Sequence, residues 1–400
     1  MMSRSVYLLA ACQALMMSSN ALILAVSALI GFALADDKSL ATLPLSLQFL
    51  GVMLTSIPAS MVMTRWGRKA GFMFASIIGM LGALLAVWSI LNHQLWWFAV
   101  ASALIGVFGG FGTYLRFAAV EVAEKSSHAR AIAYVMAGGV IAAFIGPNLA
   151  NLGRGIFSQE EFAGGFLFAT SFYFLVFIIM LFIKFPALTA TTFDKPARPL
   201  LKIATQPAFI VALVCGMLGF AVMSYLMTAT PLAMKHHAHN FTDTAFVIQW
   251  HILAMFAPSF FTGHIIDRLG SLKVMLMGVI LEASCVVLNL LGQDLFSFWS
   301  ALFLLGIGWN FLFIGATNLL TQTYRTEEKG KAQALNDFTI FTLVTISSLS
   351  AGMVQYNFGW EFVNYGAIPL LFIMFTSILW LIKSPKHLPI QQTVEPCMPS

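Results

Sequence analysis

Apolar residues in this 400-residue chain fall in long, nearly unbroken blocks, not in the alternating or one-faced patterns of water-soluble strands and helices. A helix needs roughly 17–25 apolar residues to cross the hydrocarbon core of a bilayer. Twelve blocks meet that requirement, at about 6–34, 39–63, 71–91, 95–120, 131–153, 162–184, 207–234, 243–266, 272–292, 296–322, 332–356 and 361–383. Short connectors make helices that follow one another antiparallel neighbours. One connector, 184–206, is long and polar and carries Phe193-Asp194-Lys195-Pro196-Ala197-Arg198-Pro199. It divides the chain into a six-helix bundle over 1–184, a linker over 185–206, a second six-helix bundle over 207–383 and a tail over 384–400. The expected fold is therefore all-α, membrane-embedded, with twelve transmembrane helices in two six-helix bundles.

Composition agrees with the pattern. Charged residues make up 9% of the chain and hydrophobic ones 59%, whereas a soluble domain carries about 25% charge. Too few charges remain to clothe a soluble globule, which excludes soluble enzymes, disordered scaffolds and nucleic-acid binders as whole-chain readings. The formal charge of +5 is instead a matter of sidedness. Of the 21 Lys and Arg, 17 flank the terminal side of the spans: Arg4, Arg65, Arg68, Lys69, Lys125, Arg130, Lys184, Lys195, Arg198, Lys202, Arg268, Lys273, Arg325, Lys329, Lys331, Lys383 and Lys386. Only Lys38, Arg154 and Lys235 lie on the opposite side, and Arg116 lies within a span. By the positive-inside rule both termini are expected in the cytoplasm, for a multi-pass protein of the inner membrane. The expected partners are the lipid bilayer and a small-molecule solute, with no nucleic acid and the chain a monomer.

Ala33-Leu34-Ala35 before Asp36 resembles a signal-peptidase site, yet the apolar run before it is far longer than the 7–15 residues of a signal-peptide core. A retained first span is expected. Cys12, Cys215, Cys285 and Cys397 form neither a CxxC pair nor a disulfide framework and read as small packing residues. Lys235-His236-His237-Ala238-His239 concentrates imidazoles, but no acid or thiol accompanies them, so a solvated loop is expected and no metal or cofactor.

The two halves echo each other at an offset of about 200 residues. Pro58…Thr64-Arg65-Trp66-Gly67-Arg68-Lys69 follows the second span, and Pro258…Gly263-His264-Ile265-Ile266-Asp267-Arg268-Leu269-Gly270-Ser271-Leu272-Lys273 follows the eighth. Leu104-Ile105-Gly106 and Leu304-Leu305-Gly306 occupy the fourth and tenth. Duplicated membrane halves are the sequence mark of transporters built from repeats around a central site. On these residues the chain resembles the major facilitator superfamily over nearly its full length. Gly263…Asp267-Arg268…Gly270…Lys273 is similar to that family's G-x-x-x-D-R-x-G-R-[KR] loop motif, with Ser271 at the second Arg. The first copy keeps Arg65, Gly67, Arg68 and Lys69 but carries Ser60 and Thr64 for the Gly and Asp. The resemblance implies a conformational latch on the cytoplasmic side formed by Arg65, Gly67, Arg68, Gly263, Asp267, Arg268 and Gly270, with the missing acid leaving the first-half latch incomplete. Physically, glycine suits a turn that a side chain would obstruct, and Asp267 near a helix end can pair with Arg268 or a neighbouring cation. Gly138-Gly139…Gly146-Pro147 faintly resembles a glycine motif of antiporters, without its final Gly pair.

Ionisable groups inside spans are costly and mark function by default. Arg116 sits on the fourth span, which the resemblance places on the central cavity, either meeting solute or paired with Glu121. Asp337, beside Asn336, lies a turn into the eleventh span at similar depth; it is a candidate proton site and a candidate partner for Arg116, and is also readable as a helix N-terminal cap. Glu282 on the ninth span and His251 on the eighth are candidate proton sites, each also readable as a buried packing residue. Gln13, Asn20, Tyr114, Tyr225, Trp309 and Asn310 are candidate substrate-binding residues, joined by Gln48 and Asn318 as cavity polar groups. Trp309-Asn310 suits a ring that stacks and accepts hydrogen bonds.

No G-x-x-x-x-G-K-[ST] loop for a nucleotide is present. No catalytic constellation lies within the spans, since Asp36-Asp37, Glu160-Glu161 and Glu327-Glu328 are in loops. The resemblance implies a secondary transporter, not an enzyme, with proton coupling the expected drive and alternating access its mechanism. Lys331-Ala332-Gln333-Ala334-Leu335-Asn336-Asp337-Phe338 and Arg116-Phe117-Ala118-Ala119 resemble a bacterial subgroup associated with riboflavin-type vitamin uptake. Siderophores, exported drugs or metabolites, and a non-transporting sensor are the alternatives.

Overall fold

A computed structural model of the chain describes residues 3–124, 128–157, 160–185 and 198–383. Residues 186–197 of the expected linker, the expected tail at 384–400 with Cys397, and the loop Lys125-Ser126-Ser127 lie outside the described residues. Every α-helix and short 3-10 turn runs in simple succession, and no strand occurs among the described residues. The α-helices are α1 (Arg4–Leu34), α2 (Leu43–Leu91), α3 (Leu95–Gly112), α4 (Leu115–Glu121), α5 (His128–Met136), α6 (Gly138–Gly153), α7 (Ala163–Phe182), α8 (Leu200–Ala204), α9 (Pro207–His236), α10 (Phe241–Phe256), α11 (Ser259–Leu269), α12 (Ser271–Leu291), α13 (Leu295–Thr321), α14 (Lys329–Phe358) and α15 (Trp360–Lys383). An all-helical build is what a bilayer demands, because backbone groups in lipid must find their partners within the chain. Ten helical stretches among the described residues are long and apolar enough to cross a membrane, or eleven with the bent pair α10–α11.

Local chemistry sets the helix ends. Asn240 accepts the Asp243 backbone N–H at 2.9 Å and starts α10, and Asp294 accepts that of Ser297 at 2.7 Å and starts α13. Pro207 opens α9, where its missing N–H costs nothing.

The long helix α2 is interrupted at Gly67, whose φ of 88° and ψ of 159° are open to essentially glycine alone. Gly270, between α11 and α12, has φ 83° and ψ 154°. The repeat legible in the sequence thus reappears as one backbone conformation at two corresponding turns. Neither glycine, nor Gly263, has any atom within 4 Å of where a Cβ would stand. The expectation of a close approach is corrected: at Gly67 and Gly270 glycine is required by φ and ψ, and at Gly263 nothing requires it in this conformation.

Three expected spans are broken. The fourth divides at Thr113–Tyr114 into α3 and α4, the fifth at Ala137 into α5 and α6, and the eighth bends by 44° at Ala257–Pro258 between α10 and α11. Apolarity continues through each break, so periodicity alone did not reveal them. Glycine and proline account for them, being tolerated in membrane helices where neighbours re-satisfy the backbone.

Two large apolar cores result, with a small third cluster of Ile266, Val274 and Phe311. One joins side chains from Val6 to Ile183, with Leu232, Phe241, Ala245, Ile248 and Ile252 added from α9 and α10; the other runs from Ile203 to Leu381. Small residues set the helix spacing. A Cβ at Gly106 would stand 2.9 Å from the Gln48 carbonyl carbon and collide with its oxygen, and one at Gly306 would stand 2.6 Å from the His251 carbonyl oxygen. The echoing Leu-Ile-Gly and Leu-Leu-Gly triplets therefore seat the fourth span on the second and the tenth on the eighth in one register. Large apolar side chains such as Trp96, Leu291 and Phe372 are exposed on the outside of the bundle, as a lipid-facing surface requires.

The halves touch most fully on the face away from the termini. Thr42 Oγ1 donates to the Leu349 carbonyl at 3.2 Å, Asn148 Nδ2 donates to Gln249 Oε1 at 2.9 Å, and the Phe162 and Phe241 rings meet at 4.9 Å. The Arg154 guanidinium lies 5.2 Å from the Phe241 ring centre, and the Lys235 ammonium 5.1 Å from that of Phe32. Toward the termini, Lys329 lies over Phe117 at 5.4 Å.

Candidate functional site

Between the halves, from mid-depth toward the terminal face, lies a cavity of about 290 Å³. Gln13, Met16, Met17 and Asn20 on α1, Gln48 and Val52 on α2, and Gly112, Thr113 and Arg116 around the α3–α4 break line one side. Phe220, Met223 and Met227 on α9, Trp309 and Phe313 on α13, and Asp337, Ile340 and Phe341 on α14 line the other. Such a volume sits at the small end of the range for small-molecule sites.

The two walls differ in chemistry. On the C-terminal side, Trp309 stacks on Phe313 with ring centres 4.9 Å apart and planes 10° apart, and Phe220 meets Trp309 edge-on at 5.3 Å. Phe220 also touches Phe341 at 5.9 Å, and Phe256 meets Trp309 at 6.3 Å. The Trp309 indole N–H, although buried, has no hydrogen-bond partner. Trp309 and Phe313 share a face because residues four apart do so on a helix. On the N-terminal side three amides, Gln13, Asn20 and Gln48, stand among apolar side chains such as Met16, Met17 and Val52. Gln48 Nε2 donates to Asn20 Oδ1 at 3.4 Å, while the buried Gln48 Oε1 is unpartnered. Gln13 makes no hydrogen bond among the described residues.

Arg116 and Asp337 enter the cavity from opposite halves. The Arg116 guanidinium lies over the Phe117 ring at 4.9 Å and its buried Nε has no partner. Asp337 Oδ1 accepts from Asn336 Nδ2 at 3.0 Å. Their charges are close enough to act on one another, yet they form no ion pair in this structure. Nor does Arg116 pair with Glu121. That carboxylate is taken by Arg68, whose guanidinium donates to it at 2.7 Å, with Arg68 also 5.5 Å from the Tyr114 ring.

Several sequence candidates stand elsewhere. Tyr114 donates to the Ser56 carbonyl at 2.8 Å, bracing α2 against the α3–α4 break. Tyr225 packs its hydroxyl beside Gly366 on α15. Asn310 is fully committed within the C-terminal half: it donates to the Met255 carbonyl and to Ser259 Oγ, and accepts from Thr262, each at 2.7 Å. These bonds fasten the α10–α11 bend. His251, completely buried, donates from Nδ1 to the Leu302 carbonyl at 2.7 Å and ties α10 to α13. Glu282 is completely buried against Gly308, and neither carboxyl oxygen has a partner. None of these five lines the cavity.

The loop motifs divide unexpectedly. In the first copy, which lacks the acid, Arg68 finds Glu121 on α4, and Lys69 donates to the Leu181 carbonyl at 2.7 Å. In the second copy, Asp267 and Arg268 are exposed and, like Arg65, make no hydrogen bond or ion pair among the described residues. The tightest ion pair on the terminal side is one the sequence did not single out. Arg198 donates to both Glu328 oxygens at 2.6 Å and to the Thr323 carbonyl at 3.1 Å, fastening the segment before α8 to the start of α14. These donors hold the Glu328 carboxyl at about 2, well below its ordinary value. Among the described residues no three His, Cys, Asp or Glu gather into a metal-holding group, and His239 is engaged with the Gln293 carbonyl at 2.9 Å.

Sequence reading missed the aromatic wall of Phe220, Phe313 and Phe341, because phenylalanine in a membrane span reads first as lipid-facing. The spacing of Trp309 and Phe313 carried the signal.

The profile of the Major Facilitator Superfamily matches residues 7–257 and 212–396. The riboflavin transporter RfnT of Brucella anthropi is 36% identical over 382 residues, covering 95% of this chain and 96% of its own. The uncharacterized MFS-type transporter YdeG of Bacillus subtilis is 28% identical, covering 82% of this chain and 80% of its own. Among solved structures, an auto-inhibited POT family peptide transporter superposes with a TM-score of 0.70, at 12% identity, over 100% of this chain and 99% of that one. At that identity the likeness is one of fold.

Proposed function

The chain belongs to the major facilitator superfamily, and from that premise we propose that it is a secondary transporter of a flat, ring-containing vitamin of the riboflavin type. It is a transporter and not an enzyme, as its relatives are. The observation that carries the substrate reading is the cavity itself, in which a rigid Trp309–Phe313–Phe220 wall faces the Gln13, Asn20 and Gln48 amides. Identity to a riboflavin transporter over almost the whole chain supports it. A volume of about 290 Å³ suits one fused ring system and is small for an iron chelate.

In this reading the α2 turn at Gly67 separates two spans and α10–α11 form one, which brings the count to twelve. The bundles over 1–184 and 207–383 rock about the cavity, the termini lie in the cytoplasm of an inner-membrane monomer, and the face closed by Phe162, Phe241 and Arg154 is the outer one. Arg68 and Glu121 latch the N-terminal half. Asp337 is the acid we assign to proton coupling, because it alone of the candidate proton sites lines the cavity. Arg116 is its partner when the cytoplasmic side closes.

Proteoliposome uptake of labelled riboflavin, with and without an imposed proton gradient, tests this. Accumulation that requires the gradient supports it, and no uptake above empty liposomes overturns the substrate. Charge exchange, Arg116→Asp with Asp337→Arg, restores transport lost in the single variants if the pair forms; failure to rescue removes the pair.

A further inference from the structure

The strongest unassigned chemistry lies in the N-terminal wall of the cavity. Gln48 lines the cavity, is 6% exposed, and its covered Oε1 has no partner in this resting arrangement, so a turn of the amide brings it to a bound ligand. A buried, unpaired carbonyl oxygen costs roughly 1–3 kcal/mol, so a ligand that satisfies it recovers that penalty. At rest its amide is held by the bond from Nε2 to Asn20 Oδ1. Head-to-tail coupling leaves Gln48 with a free acceptor and Asn20 with a free donor, its Nδ2, which makes no hydrogen bond among the described residues. Flipping both amides exchanges the roles but again leaves one donor and one acceptor. The pair therefore presents a donor beside an acceptor whichever way it is assigned.

Only an edge with the reverse pattern answers both atoms at once. Primary amides and carboxylic acids carry that edge, and so does a cyclic amide, a ring N–H beside a ring C=O; the stacked aromatic wall opposite favours the ring. Across the cavity the Trp309 wall supplies the stacking surface for such a ring, and the orphan indole N–H supplies one more donor for a ring acceptor. We propose that the Asn20–Gln48 amide pair is the specificity-determining element of this transporter, reading the lactam edge of a flat heteroaromatic substrate held against Trp309. The inference rests on the transporter reading above and deepens it: it names the edge that is read and the side chains that read it.

The test is a binding titration on the purified full-length protein, following flavin fluorescence, with riboflavin and with its N3-methyl analogue. Methylation removes the lactam N–H and leaves the stacking rings. Wild type is expected to favour riboflavin by at least about tenfold, the worth of one net hydrogen bond. Gln48→Met, which keeps the bulk of the side chain and removes the amide, is expected to bind both ligands alike. Trp309→Leu is expected to weaken both together, with their ratio kept. Thermal unfolding of each variant separates lost recognition from lost fold, and Gln48→Glu, an acceptor without a donor, keeps part of the preference. Equal binding of the two flavins by wild type, or an undiminished preference in a folded Gln48→Met protein, overturns the proposal. If neither flavin binds, riboflavin falls as the substrate, and pterin, xanthine and uracil rings take its place against their N-methylated forms. A preference there that Gln48→Met abolishes keeps the amide pair as the reader. Binding of none of these rings overturns both readings.

Discussion

Gly106→Ala tests the packing on which the site stands. In the structure a methyl at this position would lie 2.9 Å from the carbonyl carbon and 3.1 Å from the Cα of Gln48, and nearer still to the carbonyl oxygen. These are backbone atoms of the neighbouring span, so no side-chain rotation relieves the collision. The second and fourth spans must separate, and Gln48, whose side chain lines the cavity, moves with them. Overpacking of this kind costs about 1–3 kcal/mol, against a helix-propensity gain of roughly 0.5–1 kcal/mol for alanine over glycine. A net loss of about 1–2 kcal/mol corresponds to about 2–8 °C in Tm for a unit of 150–250 residues. A thiol-reactive dye reads the unfolding, because Cys12, Cys215 and Cys285 are buried in the folded protein. Gly263→Ala is the control: that helical position is exposed with nothing within 4 Å, so its Tm is expected unchanged or slightly raised. Equal melting of Gly106→Ala and wild type, or a loss of the same size in Gly263→Ala, refutes the reasoning.

Two further outcomes follow from the terminal face. Arg68→Glu and Glu121→Arg each are expected to lower transport, while the double exchange restores it; because the pair is half-exposed, Tm moves by no more than about 1 kcal/mol of stability, read by the same dye. Glu328, held at about 2 against an ordinary 4.5, adds stability that is present above pH 4.5 and lost as pH falls toward 2. The Tm gap between wild type and Glu328→Gln is therefore expected to stay constant from about pH 5 to 8 and to close below about 4.5. A gap that persists in acid refutes the role of the Arg198 contact.

Much of the fold is legible in the sequence because bilayer thickness sets the length of each apolar block, and the Gly67 and Gly270 turns announce the repeat. The breaks at Thr113, Ala137 and Ala257 are not legible, since hydropathy runs straight through them and the neighbours that absorb the freed backbone groups are distant in sequence. Asn310 illustrates the same limit within the candidate site. Its chemistry reads as ligand-binding, but only the Ala257–Pro258 bend reveals three partners already in place. Conversely Gln13, Asn20, Arg116, Trp309 and Asp337 do meet at one cavity, because the helices that carry them line the contact between the halves. The partner of Arg68 was hidden for a different reason: Glu121 lies 53 residues on, at the end of the short α4 beyond an unforeseen break.

The contacts described between the two halves consist of rings, amides, threonine hydroxyls and cations over aromatic faces. None of the four ion pairs among the described residues joins one bundle to the other: Arg68–Glu121, His93–Glu160 and Arg154–Glu161 lie in the first, and Arg198–Glu328 ties the linker to the second. Mobile ions screen exposed charge pairs strongly and ring contacts hardly at all. If the halves part during the transport cycle, the surfaces that separate break no salt bridge among the described residues. Closure on the face away from the termini then depends little on ionic strength.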